Sequence, residues 1–177
     1  MNKPHLFLLP LVVLFIACSG TVPGLRDLTN TPFPQVQGTS LEEESVTIPD
    51  AYSGEPALFL VGYKQRAQFD IDRWILGVLQ AQIKIRIIEL PTIAGMMPRV
   101  IKDYINQGMR GGIPNSDWGS VVTVYEDAQK IINVLGNQRP QNCYAVLVDK
   151  SGIIVWSSNK GYSASQVLEL KTITENL

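Results

Sequence analysis

The amino-acid sequence predicts an α/β fold with a central mixed sheet, mostly parallel with an antiparallel C-terminal hairpin, covered by helices on both faces. Short apolar runs alternate with stretches in which apolar residues recur every three or four positions, an order typical of parallel β-α-β units. Near the end, residues 149–152 form a turn between two apolar runs, which predicts the hairpin. The chain has 177 residues, 45% of them hydrophobic, enough for one domain with extensions.

The predicted sheet is centred on residues 57–63, a short apolar run that indicates a strand buried on both faces. A polar loop at residues 64–68 follows, and a helix begins near Phe69. Its apolar stripe at helical spacing consists of Ile71, Trp74, Ile75, Val78 and Leu79. A second strand follows at residues 83–90 and ends at Pro91.

The later elements continue this alternation. A second helix, begun near Pro98, is predicted to bury a stripe of Met97, Val100, Ile101, Tyr104 and Ile105. It is followed by a strand at residues 121–125, a helix after Asp127, strands at residues 144–148 and 153–156, and a last helix opened by a capping box of Ser163 and Gln166. Upstream, residues 46–49 predict a short edge strand, because proline ends it.

The N-terminus predicts a secretory signal. Residues 6–17 are apolar except for Pro10, and this run is shorter than the roughly 20 residues that a membrane-spanning helix needs. The signal ends with Phe15, Ile16, Ala17 and Cys18, which resembles the lipobox of bacterial lipoproteins, although Phe15 replaces the usual Leu or Val. An uncleaved anchor, or a secreted form with an incidental cysteine, is the alternative.

The resemblance to a lipobox implies that Cys18 becomes the acylated first residue of the mature chain. Two or three acyl chains anchor a protein to a bilayer durably. Ser19 stands where an aspartate would retain such a protein at the inner membrane, so we expect the periplasmic face of the outer membrane. The predicted parts are a signal at residues 1–17, a flexible tether at 18–45 and a folded domain at 46–177.

The residue inventory excludes several kinds of chemistry. The only histidine, His5, leaves with the signal, and Cys143 is then the one free thiol. A Ser/His/Asp or Cys/His mechanism, a zinc site of His and Cys, and an intramolecular disulfide are therefore excluded. The net charge of −1 gives no electrostatic case for nucleic acid. We predict no catalytic residues, no metal site and no cofactor.

Two segments resemble the thioredoxin-like superfamily. They are the run from Tyr125 to Gly136 and the hairpin of residues 146–154, whose D-x-x-G-x-I pattern (Asp149, Gly152 and Ile154) is similar to that of peroxiredoxins. A closer resemblance is to the thioredoxin-like assembly factors of mitochondrial ATP synthase and their bacterial relatives, which have a similar strand, a polar loop containing glutamine and a Trp-bearing helix. The resemblance covers residues 46–177 and implies the thioredoxin-like fold.

The chain departs from the redox members of that superfamily. A thioredoxin would have Cys-x-x-Cys near residues 64–67, and a peroxiredoxin one cysteine there, but this loop has none. Pro140 lies four residues before Tyr144, so it does not match the family's cis-proline. Cys143 starts the predicted fourth strand, where it is better explained as a small hydrophobic residue. The resemblance therefore implies a redox-inactive domain.

The loop that replaces the redox cysteines is the predicted binding site. Lys64, Gln65 and Arg66 precede a helix N-terminus, where a carboxylate or phosphate is favoured. The alternative is that these are solvated charges, or that Arg66 pairs with Asp70 or Asp72. Arg99, Arg110 and Trp118 are further candidates. The two arginines can converge on the loop or be ordinary surface charges, and Trp118 can be an exposed contact or a plug beneath its own loop.

Three functions fit these observations. The first is a non-catalytic, membrane-anchored domain that binds a partner protein or peptide in the cell envelope, in an assembly or scaffold role. The second is a thiol-dependent oxidoreductase or peroxidase-like enzyme using Cys143. The third is a small anion-binding protein using the loop of residues 64–68. We favour the first, because the sequence offers neither paired thiols nor a base beside Cys143.

Overall fold

The computed structural model describes residues 26–96 and 99–177. The predicted signal, Cys18 and the first part of the predicted tether lie outside these residues, as do Met97 and the side chain of Arg99. No helix in the described ranges is long and apolar enough to cross a bilayer.

The described residues form three strands, then alternating helices and strands, and end in a hairpin and a helix. The elements are β1 (Val36–Ser40), β2 (Ser45–Ile48), β3 (Ala57–Gly62), α1 (Gln68–Gln80), β4 (Arg86–Pro91), α2 (Arg99–Gly112), β5 (Val122–Thr123), α3 (Ala128–Leu135), β6 (Tyr144–Val148), β7 (Ile154–Ser158) and α4 (Ala164–Thr174). Short 3₁₀ turns lie at Asp50–Tyr52, Gln65–Ala67 and Asn115–Ser120.

The main sheet has the strand order β4-β3-β6-β7. Strand β3 pairs in parallel with β4 and antiparallel with β6, and β6 pairs antiparallel with β7. Every residue of β3 is buried, because β3 is a central strand with side chains packed on both faces. The predicted mixed sheet with a C-terminal hairpin is confirmed.

A second, three-stranded sheet of order β2-β1-β5 continues the first. Single parallel bridges, Glu89 to Val121 and Thr92 to Val124, join β4 to the region of β5. Parallel pairing is thus confined to β3, β4 and the residues around β5, a smaller share than the sequence predicted. The difference arises because β6 pairs antiparallel with the central strand β3, and because β1 and β2 add antiparallel pairs at the other edge.

The alternating side chains of β3 divide the core into two layers. Leu58 and Leu60 face α1 and α4, where Trp74 packs edge-on against Trp156 with ring centroids 5.9 Å apart. Phe59 and Val61 face the other layer, which contains α3 and the N-terminal segment. Helices therefore cover both faces of the sheet, as predicted.

The structure differs from the predicted flexible tether over residues 26–45. Leu28, Phe33, Val36 and Leu41 are buried, and β1 is a strand with neighbours on both sides. The ring of Phe33 packs 4.8 Å from that of Phe59. Sequence periodicity does not reveal this segment, because its apolar residues are irregularly spaced and act by filling the layer beside α3.

The predicted buried stripe of α2 is also wrong where the structure describes it. Val100, Ile101 and Tyr104 are exposed, and Ile105 is half-buried. The helix is attached instead by polar side chains at four-residue spacing. Lys102 pairs with Glu126, the Asn106 amide oxygen accepts from the Tyr125 hydroxyl at 3.0 Å, and Arg110 donates to the Leu41 carbonyl at 2.7 Å.

Candidate functional site

The polar loop after β3 folds into the short 3₁₀ turn Gln65–Ala67 and leads directly into α1. Ala67 is buried, so it fixes the turn against the core, whereas Lys64, Gln65 and Arg66 are exposed. Among the ion pairs of the described residues, none involves Lys64 or Arg66. The alternative in which Arg66 pairs with Asp70 or Asp72 is therefore not observed.

An open depression of about 1240 Å³ lies over this loop and the start of α1. It is lined by Gln65, Arg66, Gln68, Phe69, Asp70, Asp72, Arg73, Gln141 and Asn142. The depression thus brings together the predicted loop, the first turns of α1 and the loop that precedes β6. Its walls carry guanidinium groups, carboxylates, amides and one aromatic ring.

Phe69 is a site residue that sequence reasoning missed. Its side chain is 72% exposed and projects from the first turn of α1 at the rim of the depression. The helical pattern could have revealed that Phe69 is exposed, because it lies two positions before Ile71 and so off the face that α1 buries. Gln141 and Asn142 gave no such signal, since only the fold brings the 139–143 loop to α1.

Asp70 is a buried carboxylate that ties three segments together beneath the depression. One carboxylate oxygen accepts a hydrogen bond from the backbone N–H of Cys143 at 2.9 Å, and the other accepts from the N–H of Tyr162 at 2.9 Å. Arg73 donates to this second oxygen at 3.1 Å. Asp70 therefore fixes the floor of the depression and satisfies two backbone donors at once.

Cys143 is not placed to react. Its side chain is 1% exposed and packs in the apolar layer with Trp74 and Leu147. Burial raises the pKa of the thiol well above its ordinary value, and the negative charges of Asp70 and Glu89 act in the same direction. The thiolate is the nucleophilic form, so this environment opposes thiol chemistry.

Glu89 is a second carboxylate near α1, and its side chain is half-buried. The Gln68 amide donates to both Glu89 and Asp72, each at 3.0 Å. Burial raises the pKa of Glu89, the Gln68 hydrogen bond opposes that shift, and the charges of Asp72 and Asp117 reinforce it. Gln68 thus bridges the two carboxylates, and its hydrogen bond to Glu89 opposes the effect of the Asp72 charge.

The structure does not bring Arg110 and Trp118 to the depression. The Arg110 guanidinium donates to the Leu41 carbonyl, pairs with Glu43 at 3.0 Å and lies 5.5 Å from the centre of the Trp118 ring. The Trp118 indole N–H donates to the Ile113 carbonyl at 3.0 Å. Trp118 is therefore a half-buried support beneath its own loop. Arg99 begins α2, and its side chain lies outside the described residues.

The part of the chain that the structure describes contains no set of side chains arranged as metal ligands. No group of three or more His, Cys, Asp or Glu side chains is arranged there to hold an ion. The site as described can bind through charge, hydrogen bonds and an exposed ring.

No protein-family model matches this chain, and no curated protein matches it in sequence. Solved structures do match. The exposed lipoprotein thioredoxin Etrx1 of Streptococcus pneumoniae strain TIGR4 is 10% identical with a TM-score of 0.53, over 79% of this chain and 99% of that one. Copper-bound Sco1 of yeast is 14% identical with a TM-score of 0.55, over 86% and 96%.

A thiol peroxidase from Chromobacterium violaceum is 9% identical with a TM-score of 0.53, over 84% of this chain and 87% of that one. Sequence identities this low establish the fold alone. The chain has a thioredoxin-like α/β fold, and the predicted fold class is confirmed.

Proposed function

We propose that this chain is a non-catalytic binding protein of the cell envelope, which holds a segment of a partner protein in the depression over α1. The observation that carries the proposal is the pairing of an open, polar binding surface with a thiol that is buried and carries no activating base. The surface is accessible and the nucleophile is not.

The lining of the depression defines the chemistry of the partner. Arg66 in the lining, and Lys64 two positions before it at the start of the loop, are exposed cations without ion pairs in the described residues, and they favour carboxylates on the partner. Phe69 offers an exposed ring that an apolar side chain can cover. Aromatic residues and arginines dominate the energetics of protein interfaces. We therefore infer a partner segment with both acidic and apolar side chains.

The two alternative functions have less support. An enzyme based on Cys143 needs the thiolate, and the raised pKa of the buried thiol opposes it. A small anion would meet not only Arg66 but also the carboxylates of Asp70 and Asp72, which line the same depression. A polypeptide can place its own cations against these acids, so the mixed charge favours a protein partner.

We also propose that Cys18 is acylated and holds the domain at the periplasmic face of the outer membrane. The support is the sequence resemblance to a lipobox. The further resemblance to ATP synthase assembly factors supports an assembly or scaffold role. Metabolic labelling with a fatty acid tests the anchor: the wild-type chain should take up the label and a Cys18→Ala variant should not, and equal labelling of both would refute acylation at this residue.

Photo-crosslinking in intact cells tests partner binding. A photoreactive amino acid at Gln65 is expected to give a discrete adduct with a partner protein. The double variant Lys64→Ala/Arg66→Ala should reduce this adduct about tenfold or more, because each lost contact costs about 1 kcal/mol or more at an interface centre. A matched control, Lys84→Ala/Lys150→Ala, removes the same charge from two other exposed positions. Equal adduct yields from both double variants would contradict the proposal.

A further inference from the structure

Helix α2 turns its polar side toward the protein and its apolar side toward solvent. The polar attachment points Lys102, Asn106 and Arg110 recur every four residues and so lie on one side of the helix. On the opposite side, Val100 is 78% exposed and Tyr104 is 77% exposed. At 100° per residue, Tyr104 lies nearly diametrically across from Asn106 and Lys102.

Contacts on the polar side of α2 fix the rotation of the helix about its own axis. This rotation leaves the apolar side exposed to solvent. Lys102 pairs with Glu126 and lies 4.9 Å from the centre of the Tyr125 ring. Arg110 combines a backbone hydrogen bond with the ion pair to Glu43. Turning the helix to bury Val100 and Tyr104 would break these contacts and leave the Leu41 carbonyl without this donor.

The size of the apolar side discriminates between possible occupants. Three side chains, Val100, Ile101 and Tyr104, cannot supply the roughly 800 Å² per partner that a stable protein interface buries. A lipid bilayer has no such requirement when acyl chains already hold the protein there, since a few apolar side chains then only orient it. A tyrosine beside aliphatic residues also suits the boundary between headgroups and acyl chains.

The length of the chain before the folded domain points to the same occupant. Eight residue steps separate Cys18 from Arg26, the first described residue, so an acylated Cys18 can lie at most about 30 Å away. A domain of this size is about 40 Å across. The anchor therefore keeps the domain close to the bilayer, where an exposed apolar side gains from the contact. Helix α1 also exposes Phe69, Leu76 and Leu79, so labels on the two helices are needed to distinguish the two sides.

We propose that the outer side of α2, formed by Val100, Ile101 and Tyr104, rests in the interfacial layer of the lipid bilayer to which Cys18 is anchored. The helix lies in the plane of the membrane surface, and the domain is thereby held in one orientation. This proposal depends on acylation of Cys18 and is independent of partner binding at the depression.

Fluorescence quenching on vesicles tests the orientation. The acylated full-length protein is reconstituted into phosphatidylethanolamine–phosphatidylglycerol vesicles, with an environment-sensitive fluorophore on a Gln107→Cys variant. Gln107 is exposed on α2 and outside the apolar trio, and Cys143 is too buried to take the label. A matched variant, Gln80→Cys, carries the label at an exposed position on α1 beside the exposed Leu76 and Leu79, so it reports whether that apolar side meets the bilayer instead. Lipids with brominated acyl chains serve as the quencher.

The label at position 107 should emit at shorter wavelength and lose about half of its intensity with brominated lipid, whereas the label at position 80 should change little. Adding Val100→Gln and Tyr104→Gln should abolish quenching at position 107 while the protein still floats with the vesicles. Equal quenching at both positions, absence of quenching at 107, or disulfide crosslinks between two copies through Cys at 107 would overturn the proposal. If the unlabelled protein fails to float with the vesicles, the acyl anchor on Cys18 is absent, and the proposal that depends on this anchor is overturned as well.

Discussion

At the scale of single residues, the thiol of Cys143 provides the sharpest test of the non-catalytic assignment. Burial and two nearby carboxylates raise its pKa, so the thiol stays protonated at pH values where an exposed thiol ionises. We expect native protein carrying Cys18→Ala to show no reaction with a thiol-specific disulfide reagent at pH 8. After unfolding in guanidinium chloride, one thiol per chain should react.

An exposed thiol provides the control for that measurement. The same protein with Gln65→Cys should react rapidly before unfolding, because Gln65 is exposed at the rim of the depression. Rapid reaction of Cys143 in the folded protein would favour the thiol-dependent enzyme over the binding protein.

The environment of Glu89 predicts how the stability of the fold depends on pH. Its folded-state pKa is raised above the ordinary value of 4.5, chiefly by burial, so the folded chain binds this proton more tightly than the unfolded chain does. Stability is therefore lost as pH rises from about 4.5 through the folded-state pKa. A Glu89→Gln variant keeps an oxygen that can accept from Gln68 and removes the charge, so it should be more stable than wild type at pH 7.

The stabilisation by Glu89→Gln should shrink as the pH falls and vanish near pH 4, where wild type also carries a neutral side chain. Urea unfolding at a series of pH values measures this difference. Glu169→Gln, at an exposed position on α4, is the control and should show no comparable pH dependence. A Glu89→Gln variant that is less stable at pH 7 would show that the charged form is favoured in the fold.

At the scale of secondary structure, α2 shows how polar contacts can override an apolar pattern. Arg110→Ala removes the donor to the Leu41 carbonyl and the partner of Glu43, and should cost about 1–2 kcal/mol of unfolding free energy. Backbone amides of α2 should then exchange with deuterium faster. Val100→Ala, at a position 78% exposed, should change stability by less than about 0.5 kcal/mol.

The opposite order of stability losses would support the buried apolar stripe that the sequence predicted for α2. If Val100→Ala cost more than Arg110→Ala, α2 would pack through its apolar side. The comparison is informative because both substitutions truncate to the same residue on the same helix, so differences in helix propensity are small.

Sequence patterns predicted the elements of this fold where burial is periodic. The buried run at β3 follows directly from the sequence, and the α1 stripe is confirmed at Ile71, Trp74 and Val78, whereas Leu79 is 61% exposed. Ser163 caps α4 by accepting from the Gln166 N–H, but the Gln166 side chain bonds to Ser158, so the capping box is only half formed. The α2 stripe was misassigned, because Lys102, Asn106 and Arg110 find specific partners that are distant in sequence. No periodicity carries information about such partners.

The candidate site was predicted only in part, for a similar reason. The loop at Lys64, Gln65 and Arg66 could be located, since it follows the central strand. Asp70 could not be distinguished from an ordinary acidic residue in the first turn of a helix. Its role depends on the N–H groups of Cys143 and Tyr162, which are 73 and 92 residues away in sequence.

At the scale of the whole molecule, the described N-terminal segment is a structural part of the domain. Residues 26–45 supply β1 and four buried apolar side chains, and β1 joins β2 to β5. A chain that starts at residue 46, the predicted domain boundary, would lack Leu28, Phe33 and Val36. The apolar layer around Phe59 would then be exposed to water. A chain that starts at residue 26 keeps every contact that the structure describes.

We expect the chain starting at residue 46 to lack a cooperative unfolding transition, and the chain starting at residue 26 to retain one. Phe33→Ala in the longer chain should by itself cost about 3–5 kcal/mol, a large part of the stability of a small domain, because the Phe33 ring is buried against Phe59. Phe69→Ala removes the same atoms from a position 72% exposed and should be nearly neutral. Calorimetry of the four proteins measures these differences. A cooperative transition in the chain starting at residue 46 would show instead that the segment before it is dispensable, as a tether would be.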